Sequence, residues 1–99
     1  MAIFDKIPTE VIIGEEVYEI KIVKKPGNSK NLHGIIYYND HIQLGTHLKG
    51  DMLESTLIHE ILHGVSRHHA LRLCEVSIEK LEKGIFELFK KNGWKITIK

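Results

Sequence analysis

Two histidines and a glutamate stand close together in the pattern His59-Glu60-x-x-His63. On an α-helix, residues four apart in sequence lie one turn apart on the same face, so both imidazoles can reach one metal ion. Imidazole nitrogens bind zinc at about 2.0–2.1 Å, and zinc makes a bound water molecule far more acidic. Glu60 lies about 100° around the helix from His59, where it can take a proton from that water. The pattern therefore predicts a Zn²⁺ site with His59 and His63 as ligands and Glu60 as the general base.

A catalytic zinc site has a third protein ligand, and the predicted helix that follows offers three glutamates. These are Glu75, Glu79 and Glu82. At about 100° per residue, Glu82 and Glu75 lie roughly 70° and 90° from the direction of that helix's apolar stripe, and Glu79 roughly 130° from it. Glu75 is also the closest of the three in sequence to His63. We therefore predict Glu75 as the third ligand, with Glu79 as the second choice.

His69 is the alternative third ligand. It follows His63 at the spacing of the last histidine in the pattern HExxHxxGxxH. The glycine of that pattern, which lets the chain leave the helix, would fall at Ser66 here. A residue other than glycine adopts the required backbone conformation less readily. His69 therefore ranks below the glutamates as a predicted ligand.

The fold class follows from the order of the apolar runs. Alternating and apolar segments predict strands over about residues 11–13, 17–23, 34–38 and 41–44. Two helices are predicted after these strands, and residues 94–98 are expected to form a short strand or an extended tail. This order predicts an α+β domain. We expect an N-terminal antiparallel or mixed sheet of three to four strands, packed on the helix that carries the His-Glu-x-x-His pattern and on a second, C-terminal helix.

The two helices have recognisable start and stop signals. The first is predicted from about residue 51 to 67, with Asp51 as its N-cap and Glu54 completing a capping box. The second is predicted from about 75 to 92, with Gly93 at its C-terminal end. The two histidines and Glu60 thus fall in the middle of the first helix.

Length and composition restrict the class of protein. The chain has 99 residues, of which 42% are hydrophobic and 27% charged, so we expect one globular domain over residues 1–99. Fourteen basic residues against 13 acidic ones give a net charge of +1, which argues against binding to nucleic acids or membrane surfaces. The lone cysteine, Cys74, cannot form an intramolecular disulfide, and there is neither a signal-peptide pattern nor a long apolar stretch. We therefore expect a cytoplasmic location.

Parts of the sequence resemble a known group of enzymes. The run TLIHEILHG at residues 56–64, followed by LCE at 73–75 and IEKL at 78–81, resembles small zincin-like metallopeptidase domains. The likeness is to phage and prophage proteins related to the ImmA/IrrE group and to minimal gluzincins of about this length, and it covers about residues 35–92.

The resemblance implies a function as well as a fold. It implies that His59 and His63 bind zinc, that Glu60 is the general base, and that a helix glutamate, Glu75 or Glu79, completes the site. It also implies a peptide or protein substrate, which would pair as an extended strand with the strand before the active-site helix, about residues 41–44. If the protein is phage-encoded, the location would be the cytoplasm of the host.

A second hypothesis is a zinc-binding module without catalytic activity. Only 36 residues follow His63, which leaves little chain to build a deep substrate cleft. Small domains often use a metal ion for stability. In that case zinc would mainly stabilise the fold, and the surface would recognise a regulatory protein of a phage or its host. The first hypothesis, a zinc-dependent peptide hydrolase, remains the leading prediction.

Overall fold

The computed structural model describes residues 2–98. Four strands and two helices follow one another as the apolar runs predict, and the predicted α+β class is confirmed. Their bounds are β1 Glu10–Ile13, β2 Glu16–Val23, β3 Gly34–Tyr37, β4 His41–Gly45, α1 Gly50–His68 and α2 Glu75–Asn92. A short 3₁₀ turn, Pro26–Asn28, lies in the loop between β2 and β3.

The strands form a mixed sheet in the order β1-β2-β4-β3. β1 and β2 make one antiparallel hairpin, and β3 and β4 make another. The two hairpins are joined because β2 and β4 run parallel, with Ile20 opposite Ile42. β4 therefore has a neighbour on each side and no free edge. The expectation that residues 41–44 receive an extended peptide is wrong for this reason, and the edge strand on that side of the sheet is β3.

α1 packs across the sheet, against β1, β3 and β4. Leu57 and Ile58 of α1 are buried in the same core as Ile42 of β4. Burial of an aliphatic side chain of this size contributes about 1.5–3 kcal/mol. Gly64 allows α1 to lie close to the sheet, because a Cβ there would be 2.6 Å from Cδ1 of Ile13. The helix that carries the histidines is thus held firmly on the sheet.

The start of α1 differs from the predicted capping box. Its N-cap is Lys49, and no side chain makes a capping hydrogen bond there. The side chain of Glu54 instead points into the protein, and this residue is only 4% exposed. Its carboxylate accepts hydrogen bonds from the backbone N–H groups of Ile3, at 3.2 Å, and Phe4, at 2.8 Å. The capping-box prediction is wrong because the hydrogen-bond partners of Glu54 lie near the N-terminus, about 50 residues away in sequence.

The two ends of the described chain meet beside Glu54. The N–H of Ile96 donates to the carbonyl of Ile3 at 2.6 Å, and the carbonyl of Ile96 accepts from the N–H of Asp5 at 3.0 Å. The short strand or extended tail expected at residues 94–98 pairs with the N-terminal segment only through one parallel bridge, between Phe4 and Ile96. α2 ends at Asn92, and Gly93 is its C-cap, as the sequence predicts, with a left-handed φ of 66°.

α2 packs on α1 and is less deeply buried. Ile78 is its one fully buried residue, whereas Leu81 and Leu88 of its apolar stripe are 43% and 47% exposed. Among residues 2–98, no helix is long and apolar enough to cross a membrane.

Candidate metal centre

α1 and the start of α2 bring together three side chains of types that can bind a metal ion. His59 and His63 lie one turn apart on α1, and their Nε2 atoms are 3.2 Å apart. Glu75, the first residue of α2, places Oε1 at 2.6 Å from Nε2 of His59 and Oε2 at 3.0 Å from Nε2 of His63. One ligand atom from each of the three residues lies within 4.8 Å of the others, so this group could hold a metal ion.

The turn between the helices determines where Glu75 lies. Ser66 is buried, and its carbonyl accepts a hydrogen bond from the N–H of Leu71 at 2.9 Å, while its Oγ accepts one from the N–H of Leu73 at 3.2 Å. Two residues of the turn, Ala70 and Arg72, have left-handed φ values of 53° and 55°. These contacts reverse the chain tightly enough for α2 to begin beside His63.

Glu82 supports the site from one side. Its Oε1 lies 2.8 Å from Nδ1 of His59, the ring nitrogen that faces away from the group of three. A carboxylate on the second nitrogen of a metal-binding histidine fixes the orientation of the ring and its tautomer. The sequence singles out Glu82 as a possible ligand, whereas the structure gives it this supporting contact.

The pKa of His59 is raised by its acidic neighbours. Burial alone would lower it, but the hydrogen bond to Glu82 and the negative charges of Glu60 and Glu75 outweigh that effect. A proton therefore competes with a metal ion for this ring.

The donor set fits zinc. Two imidazole nitrogens and one carboxylate oxygen are the ligands of a known class of catalytic zinc sites, which keep a fourth position open. Ligand atoms of a tetrahedral site with such bond lengths lie roughly 3.4 Å apart. The two Nε2 atoms are 3.2 Å apart, and they lie 2.6 and 3.0 Å from Oε1 and Oε2 of Glu75, so the three residues are close enough together to share one ion.

Glu60 is a buried carboxylate beside this group. The residue is 7% exposed, and it forms part of the wall of a cavity described below. Burial raises its pKa to about 7; the charge of His59 opposes this shift, and the charges of Glu75 and Glu82 add to it. A carboxylate whose pKa lies near neutrality both accepts and releases protons readily.

A cavity of about 480 Å³, which we call the acidic cavity, opens beside His59 and Glu60. Glu79 and Glu82 of α2 also line it, together with Lys83. Glu79 is exposed and lies outside the group of three, so the structure brings together His59, His63 and Glu75 but not the second-choice ligand.

His69 also lies outside the group. It is the C-cap residue of α1, and its ring packs edge-on against the ring of His68, with 4.8 Å between the ring centroids. The helix continues through Ser66 to His68, so the chain does not leave it where the pattern HExxHxxGxxH would require.

No family model, curated protein or solved structure matches this chain.

Proposed function

We propose that the protein is a zinc-dependent peptide hydrolase. The observation that carries the proposal is the position of Glu60, a buried glutamate next to the group His59, His63 and Glu75 and at the wall of a cavity. Zinc bound by that group would supply Lewis-acid chemistry, which activates water and polarises a carbonyl. Glu60 would accept a proton from the attacking water and pass it to the amine nitrogen that leaves when the C–N bond breaks.

An extended peptide has a place to lie beside this group. β3 is an edge strand, so one side of its backbone has no strand partner in the sheet. It runs alongside α1 in the same direction: a Cβ on Gly34 would lie 2.9 Å from the Thr56 side chain, and Arg67 lies over the ring of Tyr38, just after β3. We therefore assign peptide pairing to β3 rather than to β4.

Two measurements on one pair of variants test the proposal. The protein is purified without added metal and analysed for zinc, and a mixture of peptides is screened by mass spectrometry for cleavage. We expect about one zinc ion per chain, and cleavage that is lost in Glu60→Gln while the zinc remains. Glu87→Gln is the matched control, because Glu87 is an exposed glutamate of α2 outside both the metal group and the wall of the acidic cavity, and it should keep both zinc and activity. Cleavage that survives in Glu60→Gln, or a folded wild type without zinc, would refute the proposal.

The non-catalytic alternative is favoured by one observation. Ile78 is the one residue of α2 that is fully buried, so a metal ion shared by α1 and Glu75 would tie down a shallowly packed helix. If zinc serves only this purpose, its removal by a chelator unfolds α2 in circular dichroism spectra, and no peptide in the mixture is cleaved.

A further inference from the structure

A second cavity borders the metal group and has a different charge. It measures about 310 Å³, and His63 is part of its wall. The other polar residues that line it are Tyr38, Ser66, Arg67 and Arg72, with no carboxylate among them. We call it the arginine cavity. The acidic cavity, in contrast, has three glutamates in its wall.

Arg67 and Arg72 are the only arginines of the chain, and every other basic residue is a lysine or a histidine. A guanidinium group presents parallel N–H donors that match the two oxygens of a carboxylate. The ammonium group of lysine has no such pair of parallel donors. None of the ion pairs between residues 2–98 involves either arginine. Their donors therefore remain available to a ligand in the cavity.

Arg67 is held through its side chain, and Arg72 is held through its backbone. The guanidinium of Arg67 lies over the ring of Tyr38, 4.5 Å from its centroid. Arg72 belongs to the turn that buried Ser66 holds with two hydrogen bonds, and its left-handed φ of 55° is unfavourable for a residue with a side chain. Such a conformation costs roughly 1–3 kcal/mol and persists only where the surroundings impose it. The turn thus fixes the backbone of Arg72 beside the cavity.

We propose that the arginine cavity binds a carboxylate group of the peptide substrate. This inference rests on the proposed function, because it places the carboxylate of a peptide that lies along β3. Gly34, at the start of β3, lines the acidic cavity, and Tyr38, just beyond its end, lines the arginine cavity. At about 3.3 Å per residue, an extended peptide of roughly four to five residues spans both cavities. The preferred substrate therefore carries a carboxylate at the end of this stretch that lies in the arginine cavity. It carries no negative charge at the end that lies in the acidic cavity.

The test measures binding rather than cleavage. The full chain is labelled with ¹⁵N, kept free of metal so that no carboxylate can bind zinc, and titrated with three blocked peptides. Acetyl-Ala-Ala-Glu-Ala-amide carries a side-chain carboxylate, acetyl-Ala-Ala-Ala-Ala a C-terminal carboxylate, and acetyl-Ala-Ala-Gln-Ala-amide neither. We expect at least one of the first two to shift the amide signals of Tyr38, Ser66 and Leu73 and to bind roughly fivefold or more tightly than the third. The peptide that binds identifies the source of the carboxylate.

Charge-removing variants localise the effect. Arg67→Gln and Arg72→Gln should each weaken binding of the carboxylate peptide roughly fivefold or more, while Lys80→Gln, which removes an exposed positive charge of α2 outside the lining of both cavities, should not. Arg72→Lys should recover only part of the loss, because lysine lacks the paired donors. Equal binding of all three peptides, or full binding in both arginine variants with native-like spectra, would overturn the inference. Carboxylate binding that depends on the arginines, in a protein that cleaves no peptide, would support this inference while the proposed function fails.

Discussion

At the scale of single residues, His59 has contacts on both of its ring nitrogens. Nε2 faces Glu75 and His63, and Nδ1 faces Glu82. Because the ring is held from both sides, its orientation is determined before any ion binds. Affinity for a metal should therefore depend on Glu82 as well as on the three ligands.

Replacing Glu82 by glutamine tests this dependence. Glu82→Gln removes the negative charge behind His59, and we expect zinc affinity to fall roughly 10–100-fold. Competition against a chromophoric chelator measures the affinity. Glu87→Gln is the control, since Glu87 is exposed and pairs with exposed Lys91 on α2, and the zinc affinity of this variant should equal that of the wild type. An unchanged affinity in Glu82→Gln would show that the Glu82 contact does not support metal binding.

At the scale of elements, the sequence predicts the strands and helices well because their apolar periodicity is local. The ends of β2, β4 and α2 agree with the predictions to within about one residue. The sheet order could not be predicted, since the parallel pairing of β2 with β4 depends on contacts between distant segments. The helix angle and the short distance in sequence from His63 favour Glu75, and the structure does group Glu75 with the two histidines. The contact of Glu82 with His59 and the placement of the two arginines depend on how α2 and the turn pack, which periodicity does not reveal.

The turn between α1 and α2 offers a test at this scale. Ala70 has a φ of 53°, which glycine adopts at little cost. We expect Ala70→Gly to raise the free energy of unfolding by roughly 0.5–1 kcal/mol. Lys80→Gly, in the middle of α2, should lower it by a similar amount, because glycine is unfavourable inside a helix. Urea denaturation of both variants gives the comparison, and a loss of stability in Ala70→Gly would contradict the left-handed conformation.

At the scale of the whole molecule, Glu54 joins the start of the chain to α1. Its two hydrogen bonds to Ile3 and Phe4 span about half of the sequence, and Ile96 bonds to the same segment. One buried carboxylate therefore organises both ends of the described chain.

Glu54 and Asp51 can be compared directly. Glu54→Leu leaves two buried N–H groups without an acceptor, and we expect it to lower the free energy of unfolding by roughly 2–4 kcal/mol. Asp51→Ala should change stability by less than about 1 kcal/mol, because the Asp51 side chain is 67% exposed where it pairs with Lys90. Thermal denaturation measures both. Equal losses in the two variants would instead support a capping box at the start of α1.

The parallel pairing of the two hairpins also has a consequence for folding kinetics. Each hairpin can close by itself, but β2 and β4 pair only after the intervening loop and β3 have been ordered, and that ordering costs chain entropy. We therefore expect the docking of one hairpin on the other to limit the folding rate. Ile42→Val, in the middle of this pairing, should slow refolding in stopped-flow measurements, whereas Ile13→Val, in the outer strand β1, should mainly speed unfolding. If the two variants change the rates in the opposite way, closure of the first hairpin is the limiting step.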